Sequence, residues 1–306
     1  MRFLSKLFSH RLRRGDIVTV LPFKEILKTL DQHGQLDNMP FMPEMQRFCG
    51  STFQVARRAN YVCVDGDGMR GLEHTVFLEN MYCDGSAHDG CQKSCTIFWK
   101  EAWLKSSNST SAPNKKEMMS GSQKLKTRNE QSNRYICQST RLAASSCLLT
   151  PLLKAKFLLK EFFSGNQRID KFIINFCYFL HYKLSKKSTN SVCRIVRGHA
   201  ESAPRVSLNL HSSDLVEVKS LEDITDTVDT DGKNHGLVFT SEMHHFCGQR
   251  YKVLGRLDKM VSEKSGKMVT LKDTVLLENV HCYGNCKFGC ARRLFHYWRE
   301  IWLKKI

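Results

Sequence analysis

Apolar and polar residues alternate from Asp16 to Val20 and again, far downstream, from Asp214 to Val218. A period of two predicts a half-buried strand in each place. Helical spacing follows both. Phe23 to Leu30 puts Ile26, Leu27 and Leu30 on one face, and Ser220 precedes Leu221 to Val228. A turn-rich stretch then leads to a strand over Thr52 to Arg57 or Arg250 to Gly255. The next strand runs through Val76, Leu78 and Met81, or Val275, Leu277 and Val280. Each series continues into a Cys/Gly-rich segment and ends in an aromatic stretch, Phe98 to Leu104 or Tyr297 to Leu303.

The two series are copies of one another. Glu44-Met45-x-x-Phe48-Cys49-Gly50 returns 198 positions later as Glu242-Met243-x-x-Phe246-Cys247-Gly248. Thr75 to Asn80 returns 199 positions later as Thr274 to Asn279. From Cys83 to Lys105 and from Cys282 to Lys304 the copies align without a gap, and nine of 23 positions are identical. Cys, Gly and Trp identities at fixed spacing mark an internal duplication. Several short strands in each copy predict a mainly β chain of α+β type. It would carry two small SH3-like barrels, each stabilised by something besides its core.

The remaining chain sets the boundaries. Residues 1–14 form a basic amphipathic arm and 15–105 the first barrel repeat; 106–134 form a Ser/Asn/Lys-rich flexible linker, 135–207 a basic helical connector, and 208–306 the second repeat. Thr150-Pro151 resembles a helix start, and helices are expected over Leu152 to Phe163 and Ile169 to Leu184. No apolar run approaches the ~20 residues that a spanning helix needs. The N-terminus lacks a continuous apolar core and a cleavage pattern, so a cytoplasmic protein is expected, with membrane contact at most peripheral.

A net charge of +17 suggests nucleic-acid binding until it is placed. The arm carries +5 and residues 106–207 carry +13, whereas the first repeat carries −3 and the second +2. Near-neutral lobes are poor phosphate binders. Contact with nucleic acid or with an anionic membrane surface would therefore run through residues 106–207, where Lys154, Lys156, Lys160 and Lys171 interleave with Leu, Phe and Ile.

Thirteen cysteines in an unsecreted chain point to free thiols or metal ligands. Three positions coincide between copies: Cys49, Cys83 and Cys91 with Cys247, Cys282 and Cys290. A structural zinc site is tetrahedral, so a fourth ligand is needed. Cys286 supplies it in the second copy. Its counterpart in the first is Ala87, beside His88. The expected sets are Cys49, Cys83, His88 and Cys91, and Cys247, Cys282, Cys286 and Cys290. Zinc is the expected ion, with an iron–sulfur cluster as the alternative. Cys63 and Cys95 lack counterparts; Cys95 competes with His88 for the fourth position, or the two form an additional ligand or redox pair. A closed four-ligand site serves folding rather than catalysis.

In the aromatic stretch, strand alternation sets Trp99, Glu101 and Trp103 on one face. Such a face is either a platform for a cation or sugar, or a closing strand that packs its indoles while a backbone donor holds the carboxylate. Packing is the preferred reading. The sequence shows no phosphate loop, nucleophile elbow or H-E-x-x-H motif, so no catalytic residue is named.

The combination of Pro40 to Met45, Cys49-Gly50, Cys83 to Cys91 with His88 inside it, Phe98 to Leu104 and Tyr297 to Leu303 resembles a family of uncharacterised bacterial proteins of about 300 residues with two Cys/Gly-rich repeats. The resemblance covers both lobes and the Cys137-Gln138 start of the connector. It implies no activity. The family pattern carries a His in the second copy where this chain has Lys287, next to Cys286. Together these features predict a non-catalytic, metal-binding scaffold that engages a protein partner. A cysteine-based redox or metalloenzyme component is the alternative, followed by a nucleic-acid or membrane binder acting through the connector.

Overall fold

A computed structural model describes residues 12–106, 125–150, 153, 161, 164–166, 195–200, 203–284 and 290–306. The protein is mainly β and its two halves are built alike. In the first half β1 (Ile17–Val20) leads to helix α1 (Phe23–Thr29), then β2 (Thr52–Arg58), a hairpin of β3 (Tyr61–Val64) and β4 (Gly68–Gly71), β5 (Thr75–Tyr82), β6 (Thr96–Lys100) and β7 (Leu104–Ser106). The connector contributes α2 (Gln138–Ser145). In the second half β8 (Leu215–Val218) and α3 (Leu221–Thr225) precede β9 (Arg250–Arg256), a hairpin of β10 (Lys259–Val261) and β11 (Met268–Thr270), β12 (Thr274–His281), β13 (Phe295–Arg299) and β14 (Leu303–Lys305).

Each half forms one five-stranded antiparallel sheet. The strand orders are β6-β5-β2-β1-β7 and β13-β12-β9-β8-β14. Equivalent registers recur: Val55 faces Leu78 and Val76 faces Trp99, as Val253 faces Leu277 and Val275 faces Trp298. Both long strands carry irregularities at matching places, between Val55 and Arg57 or Val253 and Gly255. The asparagine shared by β5 and β12 has a backbone cause. Asn80 and Asn279 adopt φ of 56° and 60°, where asparagine is better tolerated than most side chains.

The described residues fall into two compact units. One lies within Met1–His88, Thr96–Lys187 and Glu263–Lys267; the other lies within Asp89–Cys95, Ser188–Ser262 and Met268–Ile306. The helices expected at Leu152 to Phe163 and Ile169 to Leu184 fall almost wholly outside the described residues. The Leu153 N–H does donate to Thr150 Oγ1 at 3.4 Å, the bond expected of an N-cap.

The aromatic stretch departs from strand alternation. β6 ends at Lys100, a 3₁₀ turn covers Glu101–Trp103, and β7 resumes at Leu104; the second copy turns over Glu300–Trp302. The turn carries the chain across the corner from one edge strand to the other. All four indoles are fully buried. Trp103 stacks edge-on to Phe41 at 5.3 Å and Trp302 to Phe239 at 5.3 Å. Trp103 Nε1 donates to Thr29 at 3.1 Å and Trp302 Nε1 to Thr227 at 2.9 Å. These indoles are core, as the packing reading holds.

The intervening glutamate anchors the corner to the chain that enters the sheet. Glu300 is fully buried and accepts the backbone N–H groups of Leu208, Asn209 and Leu210, the last two at 3.0 and 3.3 Å. It also pairs with Arg256 at 2.9 Å, and Arg256 donates to the Leu210 carbonyl at 3.2 Å. Glu101 repeats the pattern with the Leu12 N–H and Arg58. Glu300→Ala therefore removes the acceptor for three N–H groups and a guanidinium at once. The expected loss is about 3–5 kcal/mol in chemical denaturation. Removing the carboxylate of the exposed Arg250–Glu217 pair, by Glu217→Ala, is expected to cost roughly 1 kcal/mol or less.

Candidate metal centre

The 3₁₀ turn Pro43–Phe48 carries Glu44 inward, where it is buried. The segment after β5 is shaped to meet it. Asp84 accepts the backbone N–H and hydroxyl of Ser86 at 3.0 and 2.7 Å, and the Arg47 guanidinium pairs with the same carboxylate. Gly85 sits at φ +70° and accepts the His88 N–H at 2.9 Å. That tight turn returns His88 to the interior, where it is only 1% exposed.

Glu44, Cys83 and His88 thus converge, their ligand atoms all within 4.8 Å of one another. The Cys83 thiol reaches Glu44 Oε1 at 3.1 Å, and His88 Nδ1 reaches the same oxygen at 3.3 Å. His88 Nε2 lies 3.1 Å from the Ile136 carbonyl. Glu44 Oε2 is buried without a hydrogen-bond partner among the described residues. Burial tends to raise the Glu44 carboxyl, but the hydrogen bond and charge of His88, its own turn and the Cys83 contact hold it below its ordinary range.

Protons can be assigned from these contacts. A carbonyl only accepts, so Nε2 carries a hydrogen. With Glu44 ionised, Nδ1 and the Cys83 sulfur must both donate to it. His88 is then an imidazolium, and the cluster holds one positive charge, one negative charge and a neutral thiol. This ring arrangement, one nitrogen to a carbonyl and the other to an acidic cluster, also orients histidines that ligate metals.

The structure brings together two of the four positions expected in the first copy and adds a carboxylate. Cys49 ends the 3₁₀ turn outside the group, and burial pushes its thiol up to about 12. Cys91 belongs to the second unit, where its sulfur accepts the Val261 N–H at 3.3 Å. Cys63 lies on β3 in the first unit, and Cys95 belongs to the second. In the second copy Cys247 packs partly buried against the core, Cys282 follows β12, and Cys290 is buried. Cys286 lies outside the described residues. Glu44 was visible in the sequence as the first residue of a repeated motif. A search weighted to Cys and His passes over it.

Comparison with known protein families, with curated proteins and with solved structures found no match. No helix among the described residues is long and apolar enough to cross a membrane.

The start of the connector frames the centre. Ile136 supplies the carbonyl behind His88. Two residues on, the buried Gln138 amide accepts the Phe98 N–H and donates to the Phe98 carbonyl, both at 2.8 Å, pairing with β6 as a strand would. A second buried carboxyl lies elsewhere in the same unit. Glu161 accepts from Asn60 at 2.9 Å and from Asn166 at 2.9 Å. Burial raises it to about 7, against the opposing pull of Asn166, Asn60 and Arg58. Its folded value exceeds the ordinary 4.5, so its contribution to stability is complete below pH 4.5 and is lost as pH rises to about 7. Across that window the protein should lose roughly 3 kcal/mol from this group. Denaturation at a series of pH values, with Glu161→Gln flattening the difference, measures it.

Proposed function

We propose that the protein is a non-catalytic scaffold in which each half is a small SH3-like barrel and the first is stapled by zinc through Glu44, Cys83 and His88. The observation that carries this reading is the buried triad with its unsatisfied carboxylate oxygen. A tetrahedral ion bonded at about 2.0–2.3 Å sets its ligands roughly 3.3–3.5 Å apart. The 3.3 Å from His88 to Glu44 Oε1 fits that edge, and the 3.1 Å from Cys83 to the same oxygen would open by a few tenths of an ångström around the ion. Nitrogen, sulfur and carboxylate together make a zinc donor set.

Charge favours the exchange as well. A zinc ion bound by thiolate, carboxylate and neutral imidazole is electroneutral. So is the metal-free cluster of imidazolium, carboxylate and thiol. Zinc entering for two protons therefore adds no net charge to a buried site. Three protein donors leave one tetrahedral position for water, a shell that catalytic zinc shares, so the folding role rests on where the ligands sit and not on a closed shell. The ligands come from the turn before β2 and the segment after β5, so the ion would fasten that segment to the sheet. That is a folding role.

Metal analysis of the purified full chain tests the reading. Tightly held zinc is expected. His88→Gln and Cys83→Ser should each lose one equivalent, and chelation should lower the Tm. Each zinc bound should release about two protons in weak buffer, so affinity falls as pH falls, by up to about a hundredfold per pH unit. A chain without zinc, a coloured iron chromophore, or variants that bind as the parent does would overturn it.

A further inference from the structure

We infer that the second copy carries its own metal site, built from Glu242, Cys282 and His296, with the histidine moved from the loop to the adjacent strand. All three belong to the same compact unit. Glu242 is the counterpart of Glu44 and Cys282 of Cys83; both are kept. The counterpart of His88 is Lys287, which cannot replace an imidazole in that role. The counterpart of His296 is Ile97, a fully buried core residue of the first copy. One copy thus has histidine in the loop and isoleucine on the strand, and the other has lysine in the loop and histidine on the strand.

The surroundings of His296 favour a ligand over a core side chain. Its side chain is 10% exposed, and Nε2 has no hydrogen-bond partner among the described residues. Leaving such an atom unpaired costs about 1–3 kcal/mol. Nε2 lies 4.0 Å from Glu242 Oε2. A single ion with bonds of about 2.0–2.1 Å spans that gap after a closure of roughly 0.7 Å.

Cys282 is the third member; the three ligand atoms do not all lie within 4.8 Å of one another as those of the first copy do, so a bound ion would also draw the sulfur and the imidazole together. It hydrogen-bonds to Glu242, and the Gly284 N–H donates to its sulfur at 3.3 Å. That N–H would stabilise a thiolate. Gly284 holds φ +74°, and a Cβ there would come within 2.5 Å of the Cys290 carbonyl, so the turn that aims the N–H requires glycine. Cys282, like Cys83 in the first copy, is one sulfur in a mixed donor set. Cys247 is partly buried against the apolar core instead, with burial raising its thiol.

Cobalt and zinc loading of the full chain tests the inference separately from the first-copy site. The parent should bind two equivalents, His88→Gln one, His296→Ile one, and the double variant none. His296→Ile installs the residue that the first copy already packs at this position, and His296→Cys, which restores a ligand atom, should return the lost equivalent. Failure of the first-copy reading would show as unchanged loading in His88→Gln, with His296→Ile still losing an ion. Two equivalents retained by His296→Ile would overturn the present inference. X-ray absorption on zinc-loaded His88→Gln decides without relying on the fold of any His296 variant. One sulfur among nitrogen and oxygen ligands is expected, and a shell of three or four sulfurs would overturn the site in favour of a cysteine-only centre.

Discussion

The buried glutamate at each aromatic corner is the constraint on which both halves depend. An ionised carboxylate in an apolar interior is costly unless every lone pair is used. Glu300 meets that demand with three successive backbone N–H groups and a guanidinium. In doing so it fixes where the incoming chain lies, where the 3₁₀ turn reverses and which way the flanking indoles face. The edge strands β13 and β14 are joined through this corner, so sheet order and core packing follow from one side chain. Glu101 holds the first half in the same way with Arg58. The Trp-x-x-x-Trp spacing is the visible trace of this device.

The core and the candidate centre use the same elements for different ends. Phe48, at the end of the turn that carries Glu44, stacks edge-on to Trp99 at 6.1 Å. The turn is therefore clamped by the core on one side and offers a carboxylate on the other. A ligand placed this way is preorganised without help from an ion. The segment of Cys83 and His88 depends instead on Asp84, Gly85 and the triad itself.

How much of this was legible in the sequence varies with the physics. The main strands and the duplication were, because period-two patterning and fixed aromatic spacing are local signals. The hairpin of β3 and β4 was not: Tyr61–Val64 is nearly all apolar, without alternation, and ends in Asp and Gly residues that read as loop. Alternation misplaced Glu101 because a three-residue turn interrupts the strand at that point. The centre was half legible. Cys83 and His88 stand out by residue type and spacing. Glu44 is distant in sequence, and only the folded register of the turn against β5 brings it near. Cys49, which recurs between the copies, ends that turn half-buried and outside the group.

Duplication also allows one copy to be read against the other. The frame is kept: the Trp–Thr and Glu–Arg bonds recur in both. Elsewhere, changes come in compensating pairs. Lys100 in the first copy pairs with Asp37 at 2.9 Å. In the second copy the cation is Arg299 and the acid has become His235. The guanidinium no longer needs a carboxylate partner there. Its fork donates to the carbonyls of Asn234, His235 and Lys272 and to the Thr274 hydroxyl. A lysine ammonium cannot cover that spread of acceptors, whereas arginine can. The buried positive charge is kept while its chemistry is exchanged. The exchange of His88 and Ile97 for Lys287 and His296 follows the same rule, in which a buried polar requirement survives and its source moves. In each copy an imidazole thus lies near the glutamate of the repeated motif, His88 at 3.3 Å from Glu44 and His296 at 4.0 Å from Glu242.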